Sequence, residues 1–556
     1  MNAGTESSRY DVVIMGGGLA GLCLSLQLKQ RVPRLRILVI ERRAHPVPEA
    51  THKVGESSVE IAANYFDTVL GLKDHLVSEQ LKKFGFRFFF SDGRADIDAV
   101  TEVGASRYLS TPSYQIDRGI FENFLGHTVR ERSIEFIDDA AVRKFDLKQD
   151  GADHTVVYVH GGQEHAVTAR WLVDATGRAG LIKRRLGLEQ DNRHDANAVW
   201  FRVGARISID EWSANPGWQA RCNPRARWLS TNHLVGEGYW AWLIPLASGS
   251  HSVGIVADSG IHPSRSLDSF EKVLAWLDRH QPRLAREVRE KQHLLQDFAY
   301  LRRFSYNCKQ LFSADRWALT GESGVFLDPF YSPGSDFIAI ANTYVTDLIA
   351  RDAAGEEISK LARIYERFFK SFYDSTLSLY QDQYPMFGNP TVFPVKIIWD
   401  YTYYWGILCQ LFFQRRLTDV RMLGRVAADL ESCKKLNYEM QDFLRLWSRK
   451  TAGENAPVML DQAELDWFAE LNRGLRDELD DAAFVRRIRQ STQWLHRLAL
   501  EIVDLAHAGH ADLCDAKIRS LASSETEAFT GPPMLSGQFD LRAHGLAAST
   551  SAASGR

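Results

Sequence analysis

Tyr10-Asp11-Val12-Val13-Ile14-Met15-Gly16-Gly17-Gly18-Leu19-Ala20-Gly21 decides the fold of this chain. The first six residues read as a buried parallel strand, and Leu19 to Lys29 as the helix that follows a glycine turn. Leu35 to Ile40 is a second apolar strand ending in Glu41, which completes a βαβ unit of about 30 residues. In the pattern Gly16-x-Gly18-x-x-Gly21, Gly16 permits a tight strand-to-helix turn and Gly18 lets a pyrophosphate approach the backbone. Gly21 lets helix and strand pack closely, while the unpaired N–H groups of Leu19 and Ala20 face incoming negative charge. Glu41, twenty positions beyond Gly21, stands where a carboxylate can accept from ribose hydroxyls. The expectation is therefore a dinucleotide-binding α/β domain.

Two distant stretches extend this domain. Trp171-Leu172-Val173-Asp174-Ala175-Thr176-Gly177 and Trp317-Ala318-Leu319-Thr320-Gly321-Glu322 are apolar strands ending in polar turns, and both read as parts of the same sheet. A cofactor domain over 1–350, interrupted by substrate-domain segments at about 80–125 and 195–305, explains the pattern. Arg87 to Asp92 and Gly236 to Val256 carry the β-type runs of the inserted sheet. From 351 to 522 the periodicity becomes helical. Ile364, Phe368 and Phe372 recur every four residues beside Tyr365, Phe369 and Tyr373. The Ser/Ala/Thr/Gly-rich stretch 523–556 predicts a disordered tail.

The bulk composition narrows the function. A chain of 556 residues with 45% hydrophobic content can bury cores for more than one domain. Its net charge of -3 gives no reason to expect nucleic acid. The six cysteines are scattered, with no metal-ligand spacing, so no metal and a reducing, cytoplasmic setting are expected. The most apolar run, Ile397 to Phe413, is broken by Asp400 and Gln410 and is shorter than the roughly 20 residues a membrane span needs. The N-terminal residues carry no apolar signal core.

Several motifs together resemble those of flavin-dependent halogenases, over roughly residues 8 to 350. Trp240-Ala241-Trp242-Leu243-Ile244-Pro245 matches Trp-x-Trp-x-Ile-Pro. Lys83-Phe84-Gly85-Phe86-Arg87-Phe88 is similar to a Lys-x-Gly-x-x-Phe segment, and Gly55-Glu56-Ser57 to a flavin-contacting loop. Tyr114-Gln115-Ile116-Asp117-Arg118 resembles the segment that brings an arginine to the cofactor. Asp174-Ala175-Thr176-Gly177 and Gly321 to Pro329 resemble the later FAD turns, and Asp328-Pro329-Phe330-Tyr331-Ser332-Pro333-Gly334 the loop over the flavin.

The resemblance implies an FAD-binding, p-hydroxybenzoate-hydroxylase-like fold with Gly16, Gly18, Leu19, Ala20, Gly21, Glu41, Glu56, Ser57, Arg118, Asp174, Gly177, Gly321, Glu322, Asp328 and Pro329 at the cofactor. It also implies that reduced FAD, supplied by a separate flavin reductase, reacts with oxygen to a flavin hydroperoxide that oxidises a halide. Pro333, Gly334 and Ser335 would hold that halide, chloride or bromide. Lys83 would then capture or hydrogen-bond the hypohalous acid and deliver its halogen to an aromatic ring, and Trp240, Trp242 and Pro245 would wall off the flavin.

Three departures qualify the match. Glu322 replaces an aspartate. Pro333 lacks the N–H that a halide loop uses. Tyr331 stands where free-tryptophan halogenases have glutamate, so a phenol, pyrrole or similar electron-rich ring is expected, free or tethered to a carrier protein. An FAD-dependent monooxygenase or dehydrogenase on the same fold is the alternative, and a non-catalytic flavoprotein subunit a third reading. An exposed strand-end lysine is the commoner case for a residue such as Lys83, and an aromatic stripe such as Phe387, Phe393, Trp399, Tyr401, Tyr403, Tyr404 and Trp405 more often packs than binds.

Overall fold

A run of β-branched and apolar residues with no polar alternation belongs in a sheet covered on both faces, and Ser8–Met15 lies at the middle of one. In the computed structural model, which describes residues 8–50, 54–149, 151–522, 533–541 and 544, this strand pairs in parallel with Ile37–Ile40 on one side and Gln163–Asp174 on the other. Glu135–Ile137 extends the sheet beyond Ile37–Ile40. Gln163–Asp174 turns its other edge to His154–His160 and, at its C-terminal end, to Trp317–Leu319, pairing Asp174 with Leu319. Ala140–Asp146 closes the seven-stranded sheet. The two stretches separated by more than a hundred residues do share one sheet, as their sequence indicated.

The chain divides into two units. The first comprises 1–80, 116–193 and 305–373; the second comprises 81–115, 194–304 and 374–556. The helix Arg118–Glu131 belongs to the first unit, so the first insertion ends at Gln115 rather than near 125.

The second unit is built on an eight-stranded sheet. Its order is Leu295–Leu301, Ala196–Val203, His251–Asp258, Tyr239–Pro245, Thr231–Gly236, Phe86–Phe89, Glu102–Gly104 and Met459–Asp461. The last strand corrects the expected boundary at 351. Residues from 374 onward form no domain of their own but share the unit of the inserted sheet, because Met459–Asp461 pairs in parallel with Glu102–Gly104.

The helical segment that precedes this boundary follows its pattern. In Ser359–Leu377 the Tyr365, Phe369 and Tyr373 stripe is buried, while Ile364, Phe368 and Phe372 are half-buried. Tyr365 stacks on Tyr344, and Phe369 meets Phe312 and Phe337 edge-on. The apolar run from 397 lies across the helix Val392–Tyr403 and the π-helical turn Tyr404–Cys409. Among the described residues no helix is long and apolar enough to cross a membrane. In that run Asp400 accepts from the buried Lys396 ammonium at 2.7 Å.

The disordered tail expected from 523 falls largely outside the described residues, at 523–532, 542–543 and 545–556. Residues 533–541 depart from it: Met534, Phe539 and Leu541 are buried, Trp467 Nε1 donates to the Met534 carbonyl, and the Met534 N–H reaches Glu501. Three apolar anchors suffice to pin a stretch that composition alone marks as uncollapsed.

Candidate active site

Within the first unit the glycine turn is sterically fixed. Gly16 has φ +110, and a Cβ there would sit 2.2 Å from the Ala175 carbonyl oxygen. A Cβ on Gly21 would come within 2.0 Å of the Gly16 carbonyl oxygen, so this glycine sets how closely helix and strand pack. Gly18 differs: it is the N-cap of Leu19–Arg31, and no atom lies within 4 Å of its missing Cβ. The first turn carries no acidic residue. Open space over helix N–H groups suits a pyrophosphate, so the residues present fit the cofactor the sequence called for.

The other expected cofactor residues lie in the same unit. Gly321 has φ +63, and its missing Cβ faces Ala20. Glu41 is half-buried; Oε2 accepts from the Gly17 N–H at 2.6 Å and Oε1 from the Arg43 N–H at 2.8 Å, so the carboxylate is oriented by its own turn. Arg118 begins its helix, donates to the Val54 carbonyl at 2.7 Å and pairs with Glu122 at 2.5 Å. Gly55, at φ +91, lets that guanidinium approach. Glu56 and Ser57 are buried beside it, and the Glu56 carbonyl accepts from Ile116 N–H.

Asp174 takes a different part from the ligand contact expected of it. Its Oδ1 accepts from the Thr176 N–H and hydroxyl, at 3.0 and 2.6 Å, and Oδ2 from the Ile182 N–H at 2.7 Å. The side chain thus shapes the turn that carries Gly177, whose φ is +62. Burial raises the Asp174 carboxyl above its ordinary range despite those donors and Lys183. Burial likewise raises Glu322, opposed by Arg178, Arg118 and Lys183. A third of its side chain still reaches solvent, and Arg178 lies 3.7 Å away. Arg178 is a site residue the motif reading passed over, although it directly follows Gly177; its guanidinium also lies 5.3 Å from the rings of Tyr306 and Phe326.

Asp328 is fully buried and accepts from the Phe330 N–H at 2.9 Å, while the Ser332 N–H reaches the Pro329 carbonyl. Ser332 sits at φ +54. Pro333 is the N-cap of the 20-residue helix Gly334–Ala353, so Gly334 and Ser335 present the first helical N–H groups. Asp336, in the same first turn, is turned onto the Ala62 N–H at 2.9 Å.

The second unit holds the remaining residues. Lys83 is 3% exposed, which corrects the exposed strand-end alternative. Its N–H donates to the Ser113 carbonyl, and Nζ lies 3.4 Å from the centroid of the Phe86 ring. Trp240 and Trp242 lie in Tyr239–Pro245 with ring centroids 5.5 Å apart. Trp240 Nε1 donates to Tyr384 Oη at 3.0 Å, and Trp242 Nε1 to Ser252 Oγ at 3.1 Å. Pro245 ends the strand opposite His251. His233, missed by motif reading, stacks on Phe88 and lies 5.3 Å from Phe86 and 5.2 Å from Trp240. Strand register alone could have found it, since His233 pairs with both Phe88 and Trp242. Phe387, Phe393, Trp399, Tyr401 and Trp405 are buried, while Tyr403 and Tyr404 are half-buried.

These turns and their sheet define an FAD-dependent enzyme. Residues 9–226 match the family described as FAD binding domain. The flavin-dependent halogenase chlA of Dictyostelium discoideum is 26% identical over 435 residues, 72% of this chain and 70% of that protein. The 1H-pyrrole-2-carbonyl-[peptidyl-carrier protein] brominase of Pseudoalteromonas luteoviolacea is 22% identical, over 64% of this chain and 80% of its own. The fold is shared with the halogenase PltM solved with phloroglucinol and FAD, at a TM-score of 0.61 and 15% identity, covering 92% of this chain and 98% of that one. The chain is thus similar to flavin-dependent halogenases, and its cofactor is FAD.

Proposed function

We propose that this chain halogenates an electron-rich aromatic ring, taking reduced FAD from a separate flavin reductase together with oxygen and chloride or bromide. The observation that carries this reading is the burial of Lys83 with its Nζ against an aromatic face. A lysine removed from water has lost its ordinary surface role and is costly to keep without a task.

Gly16, Gly18, Gly21 and the N–H groups of Leu19 and Ala20 would hold the pyrophosphate. Arg118, Glu56, Ser57, Glu322, Asp328 and Pro329 would line the rest of the cofactor. When bound, reduced FAD supplies the electrons that activate oxygen for halide oxidation. Gly334 and Ser335 would bind the halide through helix N–H groups, with Pro333 shaping the entry to that turn without donating. Lys83 would deliver the electrophilic halogen. Trp240, Trp242 and Pro245, buried in one strand, would act as a barrier to direct oxygen transfer.

Tyr331, in place of a glutamate, supports a phenol or pyrrole over free tryptophan. The pyrrole-carbonyl brominase named above acts on a ring held by a carrier protein, so the panel of substrates includes tethered forms. The six free cysteines, five of them buried, suit a reducing, cytoplasmic setting.

A second reading, monooxygenase or dehydrogenase, is supported by Pro333, which deprives the halide loop of a donor. Mass spectrometry separates the two. Purified protein, FAD, flavin reductase, NADH and oxygen are incubated with phenols and pyrroles, free and carrier-tethered, with and without halide. A halide-dependent chlorine or bromine isotope pattern, lost in Lys83→Ala with FAD still bound, is expected. A gain of oxygen regardless of halide would move the assignment to the second reading.

A further inference from the structure

Lys82 and Lys83 are adjacent, yet they meet different aromatic rings. Lys82 is exposed and its Nζ lies 4.5 Å from the Tyr108 ring; Lys83 is buried and its Nζ lies 3.4 Å from that of Phe86. The second contact is built by the backbone. Gly85, at φ +78, bends the chain between the two residues, with the Phe84 N–H fixed on the Leu229 carbonyl and the Gly85 carbonyl accepting from Thr231. The Phe86 ring is 2% exposed and is flanked by His233 at 5.3 Å, Tyr401 at 6.2 Å and Phe88 at 6.3 Å, so it is held in place.

We propose that Phe86 is a positioning residue that holds Lys83 as an ammonium, so that Lys83 works as a proton donor to hypohalous acid and not as a nucleophilic amine. The face of an aromatic ring is its negative pole and favours the charged form of a lysine beneath which it lies. A neutral amine gains nothing from that face.

The step balances as follows. A π-electron pair of the substrate ring forms the carbon–halogen bond while the oxygen–halogen bond of the hypohalous acid breaks. Both electrons of that bond stay on oxygen, which takes a proton from Lys83 and leaves as water. The ring then loses its proton, which returns the charge to the lysine and restores aromaticity. Phe86 touches none of the reacting atoms; it acts through Lys83. The inference rests on the halogenase reading given above.

The test has a part that needs no turnover. In protein labelled with 13C-lysine, the Lys83 ε-methylene signal, assigned by its loss in Lys83→Arg, should be shifted upfield by the Phe86 ring current. It should return to the ordinary lysine position in Phe86→Leu. An ordinary position in the wild type would overturn the proposal.

The catalytic part replaces Phe86 with mono-, di- and trifluorophenylalanine, which weaken the face of the ring at nearly constant size. Product formation should fall stepwise, by at least tenfold at the trifluoro ring, with FAD absorbance and melting temperature retained. Phe86→Trp should keep most of the activity that Phe86→Leu loses. A flat fluorine series would overturn the proposal. So would radioactive chlorine retained covalently on Lys83 after substrate-free turnover and desalting, because it would mark an N-halogenated lysine. A wild type that halogenates nothing would sink the parent reading instead, and leaves the ring-current measurement standing as a separate answer.

Discussion

The indole of Trp242 occupies the space that a side chain on Gly254 would need. The two residues are paired across neighbouring strands, and a Cβ on Gly254 would lie 2.1 Å from Trp242 Cζ2. One half of the Trp-x-Trp signature is thus underwritten by a glycine twelve residues further on, in the next strand.

Gly254→Ala should therefore push Trp242 off its site or distort the sheet. Overpacking of this kind costs about 1–3 kcal/mol. Differential scanning calorimetry should show a lower Tm, and tryptophan fluorescence should change with it. A variant of unaltered Tm and emission would show that the indole repacks freely.

Arg87, Glu102 and Arg227 form a fully buried ion cluster in the second unit. Arg227 Nε lies 2.8 Å from Glu102, Arg87 reaches the same carboxylate, and Asp210 stands 3.8 Å from Arg227. Glu102→Gln removes the carboxylate that two buried guanidinium groups share, a change that costs about 3–5 kcal/mol. Chemical denaturation should show a loss of that size.

The same cluster sets an acid limit. Burial raises the Glu102 carboxyl, but Arg87 and Arg227 outweigh it and bring the group below its ordinary value. A depressed carboxyl contributes stability that is fully present above the unfolded-state value, about 4.3, and that is lost as pH falls through the lower folded-state value. Acid titrations monitored by circular dichroism should show the wild type losing stability below about pH 4 more steeply than Glu102→Gln does.

Pro333→Ala would add an N–H at the cap of Gly334–Ala353. If a halide lies at that terminus, one more donor is worth about 1 kcal/mol, roughly a fivefold lower halide KM. An unchanged KM for both chloride and bromide would show that the anion is held elsewhere.

Gly21→Ala should abolish FAD retention, since the added methyl would meet the Gly16 carbonyl oxygen at 2.0 Å. The flavin absorbance of the purified protein reads this directly. A variant that keeps its yellow colour would mean that strand and helix can separate without losing the cofactor turn.

The cofactor domain was legible in the sequence because its elements are local. A strand, a glycine turn and a helix within Tyr10–Lys29 carry their own periodicity, and Gly16 and Gly21 have steric reasons visible in the fold. That Trp171–Asp174 and Trp317–Leu319 share one sheet was also legible, because both are apolar strands that end in polar turns. Asp174 was harder. A motif places a carboxylate at a turn but not its direction, and this one points into its own backbone. Phe86, His233 and Arg178 escaped because their roles depend on strand register and on neighbours far along the chain. The C-terminal boundary was misjudged for a related reason: Met459–Asp461 is only three residues long, too short for any periodicity to reveal, yet it ties that region to the inserted sheet.

That short strand also orders events during synthesis. The cofactor sheet has its last partner once Trp317–Leu319 has left the ribosome, while the eight-stranded sheet must wait for residue 461. Until then the edge of Glu102–Gly104 is bare, next to the strand that follows Lys83. The nascent chain thus acquires its nucleotide-binding half well before the unit that carries Lys83 is complete, and a ribosome stalled between the two would leave the first sheet paired and the second still open at one edge.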